Sequence, residues 1–439
     1  MVPDSTGNRL LPSLRDWAGR AGFLGLSAGV MLFGYQAGFV QMHLKLDFLV
    51  GVLAIAIIQA EFALVSFAAF MFGSAAVFFG WSVRDSPYQP LYDDGTITAI
   101  VPVYRDADVL ERSVESLLAS AYEDLEVVVV CERDDGPAKR KAAALAEEFP
   151  SVSRLVNTGD PGSKAGAINY AVEQTESAYV GVFDADEVVH ESFLPQAVGK
   201  LTDHDVVQGR TVPEPTGTIE SIAYYESVLL SYVARRVLYV FTGFRMAASR
   251  AVLMDREALE DLGGYDTDML TEDFYFAYQC YEGHLDVAEL LDYPSRIEAA
   301  HNVTDWWGQR KRWMTGYAQV FHRLLTSFWR PSSYRDVVSV VICASTVWGS
   351  LMMLAILAKF PVLAVVGSEE LFVLPFLAVF SITLAGHVHD YRRGLVPAPT
   401  WRWLLVPLIF PFYSLTAIKA VFEYVFSWSG EWYRVAKEA

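Results

Sequence analysis

Three short clusters hold the residues best suited to chemistry. Asp184-Ala185-Asp186 sets two carboxylates one residue apart, directly after an apolar run ending at Phe183. Carboxylates this close repel each other unless a cation lies between them. Hard divalent ions take oxygen ligands of this kind and fill their remaining positions with substrate phosphates. The pair therefore reads as a metal–diphosphate site, with a solvated acidic turn as the plainer alternative. Thr271-Glu272-Asp273 stands before the aromatic run Phe274-Tyr275-Phe276. Acids desolvated beside aromatics rise in pKa toward a useful general base, while a helix cap at Thr271 is the bland reading. Gln309-Arg310-Lys311-Arg312-Trp313 follows Trp306 and Trp307, with Phe321 and Trp329 beyond. Basic and aromatic residues at helical spacing describe an interfacial helix. From such a helix Arg312 can meet a departing diphosphate and Trp313 can stack on a sugar ring.

The elements that must position these residues alternate. Ile97–Val103, Leu125–Cys131, Val152–Val156 and Ala178–Phe183 have the composition of strands. Between them, Asp106–Tyr122, Ala138–Phe149 and Ser163–Glu173 carry helical spacing. This order predicts an α/β domain: a mostly parallel, Rossmann-like sheet with right-handed crossovers and helices on both faces. In such sheets ligands bind beyond the carboxyl ends of the strands, where Asp184 and Asp186 emerge.

Composition narrows the class. Of 439 residues, 53% are hydrophobic and 20% charged, which argues against a purely soluble chain. The net charge of −18 argues against a nucleic-acid partner. Three distant cysteines make neither a disulfide framework nor a zinc site. Five apolar stretches are candidate membrane spans: 21–42, 60–81, 337–357, 371–388 and 404–426, the last with Pro407 and Pro411 as kinks. The expected organisation is a tail and about two spans over 1–81, the catalytic domain over 82–305, an interfacial segment over 306–335, and about three spans and a tail over 336–439. Residues 82–335 hold 23 of the 34 basic and 41 of the 52 acidic residues, so the whole charge excess falls there. Arg9, Arg15 and Arg20, with the basic residues from Arg310 to Arg335, predict a multi-pass protein of the cell membrane with its catalytic domain in the cytoplasm. With 25 Arg against 9 Lys, the acidic surface suggests adaptation to high salt, which full activity in low-salt buffer would contradict.

Taken in order, VPVY at 101–104, the carboxylate after LEVVVV, KAGAIN at 164–169, DAD, TED and QRKRW span most of 97–313. Together they resemble the membrane-integrated family 2 glycosyltransferases, the group of cellulose, chitin and hyaluronan synthases. QRKRW fits Q-x-x-R-W, similar to the signature of the processive branch. The resemblance implies a GT-A fold, a nucleotide-diphospho-sugar donor such as a UDP-sugar, and Mn²⁺ or Mg²⁺. It implies that Tyr104, Glu132 and Lys164 line the nucleotide pocket, and that Asp184 and Asp186 hold diphosphate and metal. Asp273 would be the general base, with Glu272 beside it in the catalytic motif. Gln309, Arg312 and Trp313 would close over donor and acceptor, and Gln208 and Gly243 fall at acceptor-side positions. Glu132 stands where the family usually has Asp, with Asp134 and Asp135 close behind. Five spans are fewer than the larger synthases carry. The implied activity is inverting transfer to a growing polysaccharide, possible as a homo-oligomer and coupled to export. A single transfer to a lipid or lipid-linked acceptor, or an inactive membrane scaffold, are the alternatives.

Overall fold

The architecture comes from a computed structural model that describes residues 95–327, 331–357 and 369–427, with a few helical positions between 65 and 76. The expected span at 21–42 and most of that at 60–81 lie outside the described residues.

β1 (Ile97–Val103), β2 (Leu125–Cys131) and β3 (Val152–Val156) form where the apolar runs place them. β4 (Tyr179–Val182) is shorter than its apolar run by a residue at each end. Helices α1 (Leu110–Leu118), α2 (Gly136–Glu148) and α3 (Lys164–Glu173) connect them. Alternate residues go to opposite faces. Ile97, Ala99, Val101 and Val103 pack with Val127, Val129 and Cys131 on one face, whereas Ile100 packs with Val128 and Val130 on the other. Both faces are therefore covered, which is why these strands are apolar throughout rather than alternating. Burying each of the four valines of β2 contributes about 1.5–3 kcal/mol.

The sheet has seven strands in the order β3-β2-β1-β4-β6-β5-β7, completed by β5 (Val206–Pro213), β6 (Val252–Asp255) and β7 (Val287–Ile297). α4 (Phe193–Leu201) joins β4 to β5. Neighbours pair in parallel except at β6, which runs antiparallel to both β4 and β5. The sheet is thus mixed, and the path of the chain explains the exception. After β5 the chain forms α5 (Thr218–Leu229), a π-helical turn (Leu230–Ala234) and α6 (Arg235–Thr242). It then re-enters the sheet from the ligand-binding edge, and a strand entered from that side runs the opposite way. Residues 249–251, just ahead of β6, are left at that edge.

α7 (Arg256–Asp261) and α8 (Glu272–Glu282) follow β6. After β7 the chain is helical: α9 (Val303–Ser327), α10 (Tyr334–Leu357), α11 (Glu369–Arg392), a 3₁₀ segment (Trp401–Leu408) and α12 (Ile409–Ser427). Pro407 lies in the tighter 3₁₀ segment and Pro411 in the first turn of α12, where a missing N–H costs little. Among the described residues, Val373–Arg392 and Trp401–Tyr424 are long and apolar enough to cross a membrane, with mean hydropathy 1.4 and 1.8. They overlap the expected spans at 371–388 and 404–426; the expected span at 337–357 falls within α10.

These helices are not a separate layer. Ala378, Val379, Ile382 and Ile409 pack against Tyr224, Tyr225, Val228 and Tyr232. Arg210 of β5, 1% exposed, donates to both carboxylate oxygens of Asp390 in α11 at 2.8 and 2.7 Å. Asp390 also accepts from the Tyr232 and Tyr224 hydroxyls at 2.5 and 2.7 Å. Charges this deeply buried persist only when paired and hydrogen-bonded in this way.

Candidate functional site

The residues expected to line a nucleotide pocket lie at the ends of β1 and β2. Glu132 is buried, and its two oxygens accept from Asn157 Nδ2 (2.9 Å) and the Gly162 amide (3.0 Å). It thereby fixes the loop that leads to Ser163, whose hydroxyl caps α3 through the Gly166 amide at 2.9 Å. A cap of this kind is worth about 1 kcal/mol. Asp135 caps α2 through the Ala138 amide (3.0 Å) and also accepts from the Arg105 amide. Exposed Asp134 accepts from the Tyr104 hydroxyl at 3.2 Å. The three neighbouring acids thus have three different tasks, and Tyr104 meets the outermost.

Asp184 and Asp186 emerge just past β4. The Lys164 ammonium, on the first turn of α3, bonds Asp184 Oδ1 at 2.5 Å and the Ser249 carbonyl at 2.6 Å. Ser113 donates to the Asp184 carbonyl at 3.0 Å. Asp186 is 5% exposed. Buried Glu187 accepts from the amides of Asp184 (3.1 Å) and Ala251 (3.2 Å), joining the acidic turn to the start of β6. Burial, and then the nearby Asp184 charge, push Glu187 up to about 7.

Glu272 and Asp273 open α8. Thr271 holds the N-cap position but makes no capping bond, so the cap reading of this motif is not realised. Its hydroxyl instead faces Gly316 of α9, where an added Cβ would lie 2.4 Å from it. Glu272 is buried and accepts from the Ser249 hydroxyl at 2.9 Å. Burial, then Asp273, hold Glu272 above the ordinary carboxylate range, against the pull of Lys164 and Arg312. Asp273 is half-buried, with Oδ1 accepting from the Phe274 amide at 2.8 Å.

The QRKRW motif lies on α9. Arg310 is buried: its Nε and Nη2 donate to Glu226 of α5 at 2.9 and 2.6 Å. Its guanidinium lies 4.1 Å from the Trp313 ring centre. Glu226 also accepts from Trp306 Nε1 (3.2 Å) and from the Tyr413 hydroxyl of α12. Arg310 is therefore an internal brace, not one of the surface charges from which orientation was inferred. Lys311 pairs with Glu423 of α12 at 2.6 Å. Gln309 accepts from Arg310. Half-buried Arg312 faces Glu272 and Asp273; burial holds its pKa below the ordinary arginine value, opposed by Glu272 and Asp273 and reinforced by the neighbouring Arg250 charge.

DAD, TED, Lys164 and Arg312 are thus brought within electrostatic reach of one another. Glu132 and Tyr104 flank them. Gln208 and Gly243, the two expected acceptor-side positions, are both engaged with backbone structure. The Gln208 side chain is occupied by backbone, donating to the carbonyls of Gly209, Arg250 and Ala251 and accepting from the Ala248 amide. Gly243 ends α6 at φ 75°, a left-handed conformation suited to glycine. Ser249 and Arg250 were not singled out by the sequence. They precede an antiparallel strand, whereas the strand-end rule directs attention to carboxyl termini. The signal they offered was an Arg among small residues just before an apolar run.

The donor chemistry fits a hard divalent ion. Asp184 and Asp186 supply oxygen only, and among the described residues no group of three or more His, Cys, Asp or Glu is placed to hold a metal ion. Two carboxylates leave positions for diphosphate and water, the usual pattern for Mg²⁺.

A family model described as "Glycosyltransferase like family 2" matches residues 94–316, half of the chain. The chain belongs to this family. Relatives of this family 2 domain include the poly-β-1,6-N-acetyl-D-glucosamine synthase of Staphylococcus epidermidis, 25% identical over 260 residues (53% of this chain, 56% of the relative). The synthase of the same name from Staphylococcus aureus is 26% identical over 248 residues, covering 52% and 56%. The chain spans about half the length of the curated relatives it matches. Among solved structures, a mannosyltransferase from Pyrobaculum calidifontis in complex with GDP-Man and Mn²⁺ superposes with a TM-score of 0.52 at 19% identity, over 81% of this chain and 99% of the other. That likeness extends the family assignment to the fold.

Proposed function

We propose that this family 2 protein is an inverting, membrane-embedded glycosyltransferase that moves a sugar from a nucleotide-diphospho-sugar to a growing polysaccharide. The observation that carries the reading is the meeting of DAD, TED and Arg312 at one edge of the sheet. In-line attack at an anomeric carbon needs a base on one side and charge neutralisation on the other. Asp273 is the base: half-buried at the start of α8, it takes the proton of the acceptor hydroxyl. Buried Glu272 positions Ser249 and, through the Ser249 carbonyl, Lys164. Lys164 and Arg312 face the departing diphosphate. Asp186 and Asp184 would hold a divalent ion, Mn²⁺ or Mg²⁺, which would supply further neutralisation of that charge. Tyr104 and Glu132 border the nucleotide, Gln309 and Trp313 border donor and acceptor, and Gln208 and Gly243 shape the acceptor side through the backbone.

The apolar stretches of α11 and α12 support a cell-membrane location, with the acidic domain in the cytoplasm and the product passed toward export. The test is a screen of radiolabelled UDP- and GDP-sugars with purified protein and Mn²⁺, followed by product sizing. A polymer is expected. A product limited to one sugar on a lipid would replace polymerisation with single transfer, and failure of every donor to be transferred or hydrolysed would favour the scaffold.

A further inference from the structure

Arg250 is a cation at the centre of the site that none of the motifs includes. Its side chain is 28% exposed, and its Nη1 lies 4.0 Å from Asp184 Oδ2, too far for a hydrogen bond. Burial opposes its charge, but Asp184, then Asp273, Glu187 and Asp186, outweigh that and raise its pKa. The guanidinium thus stands beside Asp184, in the field of the DAD and TED carboxylates, which it shares with Arg312. Three other arginines of the domain are committed: Arg210 to Asp390 and Tyr232, Arg310 to Glu226, and Arg256 to Ser177, Val172 and Thr175. Lys164 is likewise occupied by Asp184 and Ser249.

The backbone beneath Arg250 is held from several sides. Ala251 has φ 44°, a left-handed conformation costly for a residue with a Cβ. It is kept there by Gly209, which donates to the Ala251 carbonyl at 2.6 Å, and by Glu187, which accepts from its amide. Gln208 donates to the Arg250 carbonyl at 3.0 Å. The result is a fixed base under a side chain whose planar fork matches paired phosphate oxygens.

We propose that Arg250 binds the diphosphate of the donor and carries part of the negative charge on the leaving nucleoside diphosphate. The step is the displacement already described: the acceptor oxygen forms the new glycosidic bond, the anomeric carbon–phosphate oxygen bond breaks, and Asp273 takes the proton. Arg250 forms hydrogen bonds to phosphate oxygens and exchanges no atoms. Among the described residues its ion pair is the 4.0 Å approach to Asp184, so it keeps donors for an incoming dianion. The inference rests on the transferase reading and adds a residue to it.

The test compares wild type with Arg250→Met and Arg250→Lys by calorimetry at saturating Mn²⁺, using UDP and GDP and the matching monophosphates as probes. Arg250→Met should weaken diphosphate binding by about tenfold or more, as expected for loss of charged hydrogen bonds, and leave monophosphate binding nearly unchanged. Arg250→Lys, which keeps the charge and protects against a folding defect, should recover part of the affinity. It should also recover part of kcat with the donor found in the screen. Equal diphosphate affinity in all three proteins, or equal losses for mono- and diphosphate, would overturn the role of Arg250. If wild type itself binds no nucleoside diphosphate, the transferase reading falls, and this role falls with it.

Discussion

Two sets of arginines and carboxylates occupy this molecule, and they behave in opposite ways. Arg210–Asp390 and Arg310–Glu226 are buried, close and held by two or more hydrogen bonds each. Arg250, Arg312, Asp184 and Asp273 are half-exposed and share one field without saturating one another. The first set joins helices to the sheet. The second lies partly exposed at the sheet edge proposed to take the ligand. Identical residue types thus serve as braces where they are buried and paired and, in the proposed reading, as chemistry where they stay partly exposed.

The contrast can be broken at either set. Asp273→Asn should lower kcat by about 10²–10⁴-fold, the span ascribed to a general base, with the melting temperature unchanged. A comparable loss of stability would move Asp273 to the bracing set. Asp390→Ala should do the reverse and destabilise by about 3–5 kcal/mol, because Arg210 is left charged and buried. The paired replacement Arg210→Met with Asp390→Leu should regain most of that in thermal unfolding; a double variant no better than the single would mean that the pair does more than compensate its own burial. Asp186→Ala should abolish the metal-dependent part of donor binding, about 1.4 kcal/mol or more, equivalent to tenfold. Calorimetry with and without Mn²⁺ reads this directly, and unchanged binding removes Asp186 from the site.

The smallest effect concerns protons. Glu282, at the end of α8, is pushed up to about 7 by burial and by Asp336. A folded pKa above the unfolded value means that the native state holds the proton more tightly. This contribution is full below about pH 4.5 and is lost as pH rises through 7. Glu282→Gln should flatten that part of the stability–pH curve, and a curve of unchanged slope would assign the titration to another group.

The legible parts of the fold were those encoded locally. The continuous apolar runs of β1 to β3 fix both place and type, because a strand covered on two faces leaves no polar alternation to misread. The direction of β6 was not legible, since Val252–Met254 gives a strand pattern without saying from which edge the chain enters. At the site, DAD, TED and QRKRW were visible as motifs, and the structure brings them to one edge. Ser249 and Arg250 were not visible, because their importance comes from that unread direction. Arg310 was misread as an interfacial charge for a related reason: its partner Glu226 is 84 residues away in an apolar stretch, and nothing in local spacing announces the pair. Asp390, in an apolar helix, illustrates the same limit.

The Arg210–Asp390 pair also bears on how the chain is made and cut. Arg210 leaves the ribosome 180 residues before its counterion. The sheet's last strand ends at Ile297, so all seven strands are available while β5 still holds an unmatched charge. Completion of the catalytic domain must wait for α11, and a fragment trimmed at the end of the sheet would keep its fold-defining strands while losing the acid that neutralises their interior. A boundary drawn by sequence motif at about residue 316 is therefore a poor place to divide this protein for expression. The useful unit extends at least through Arg392.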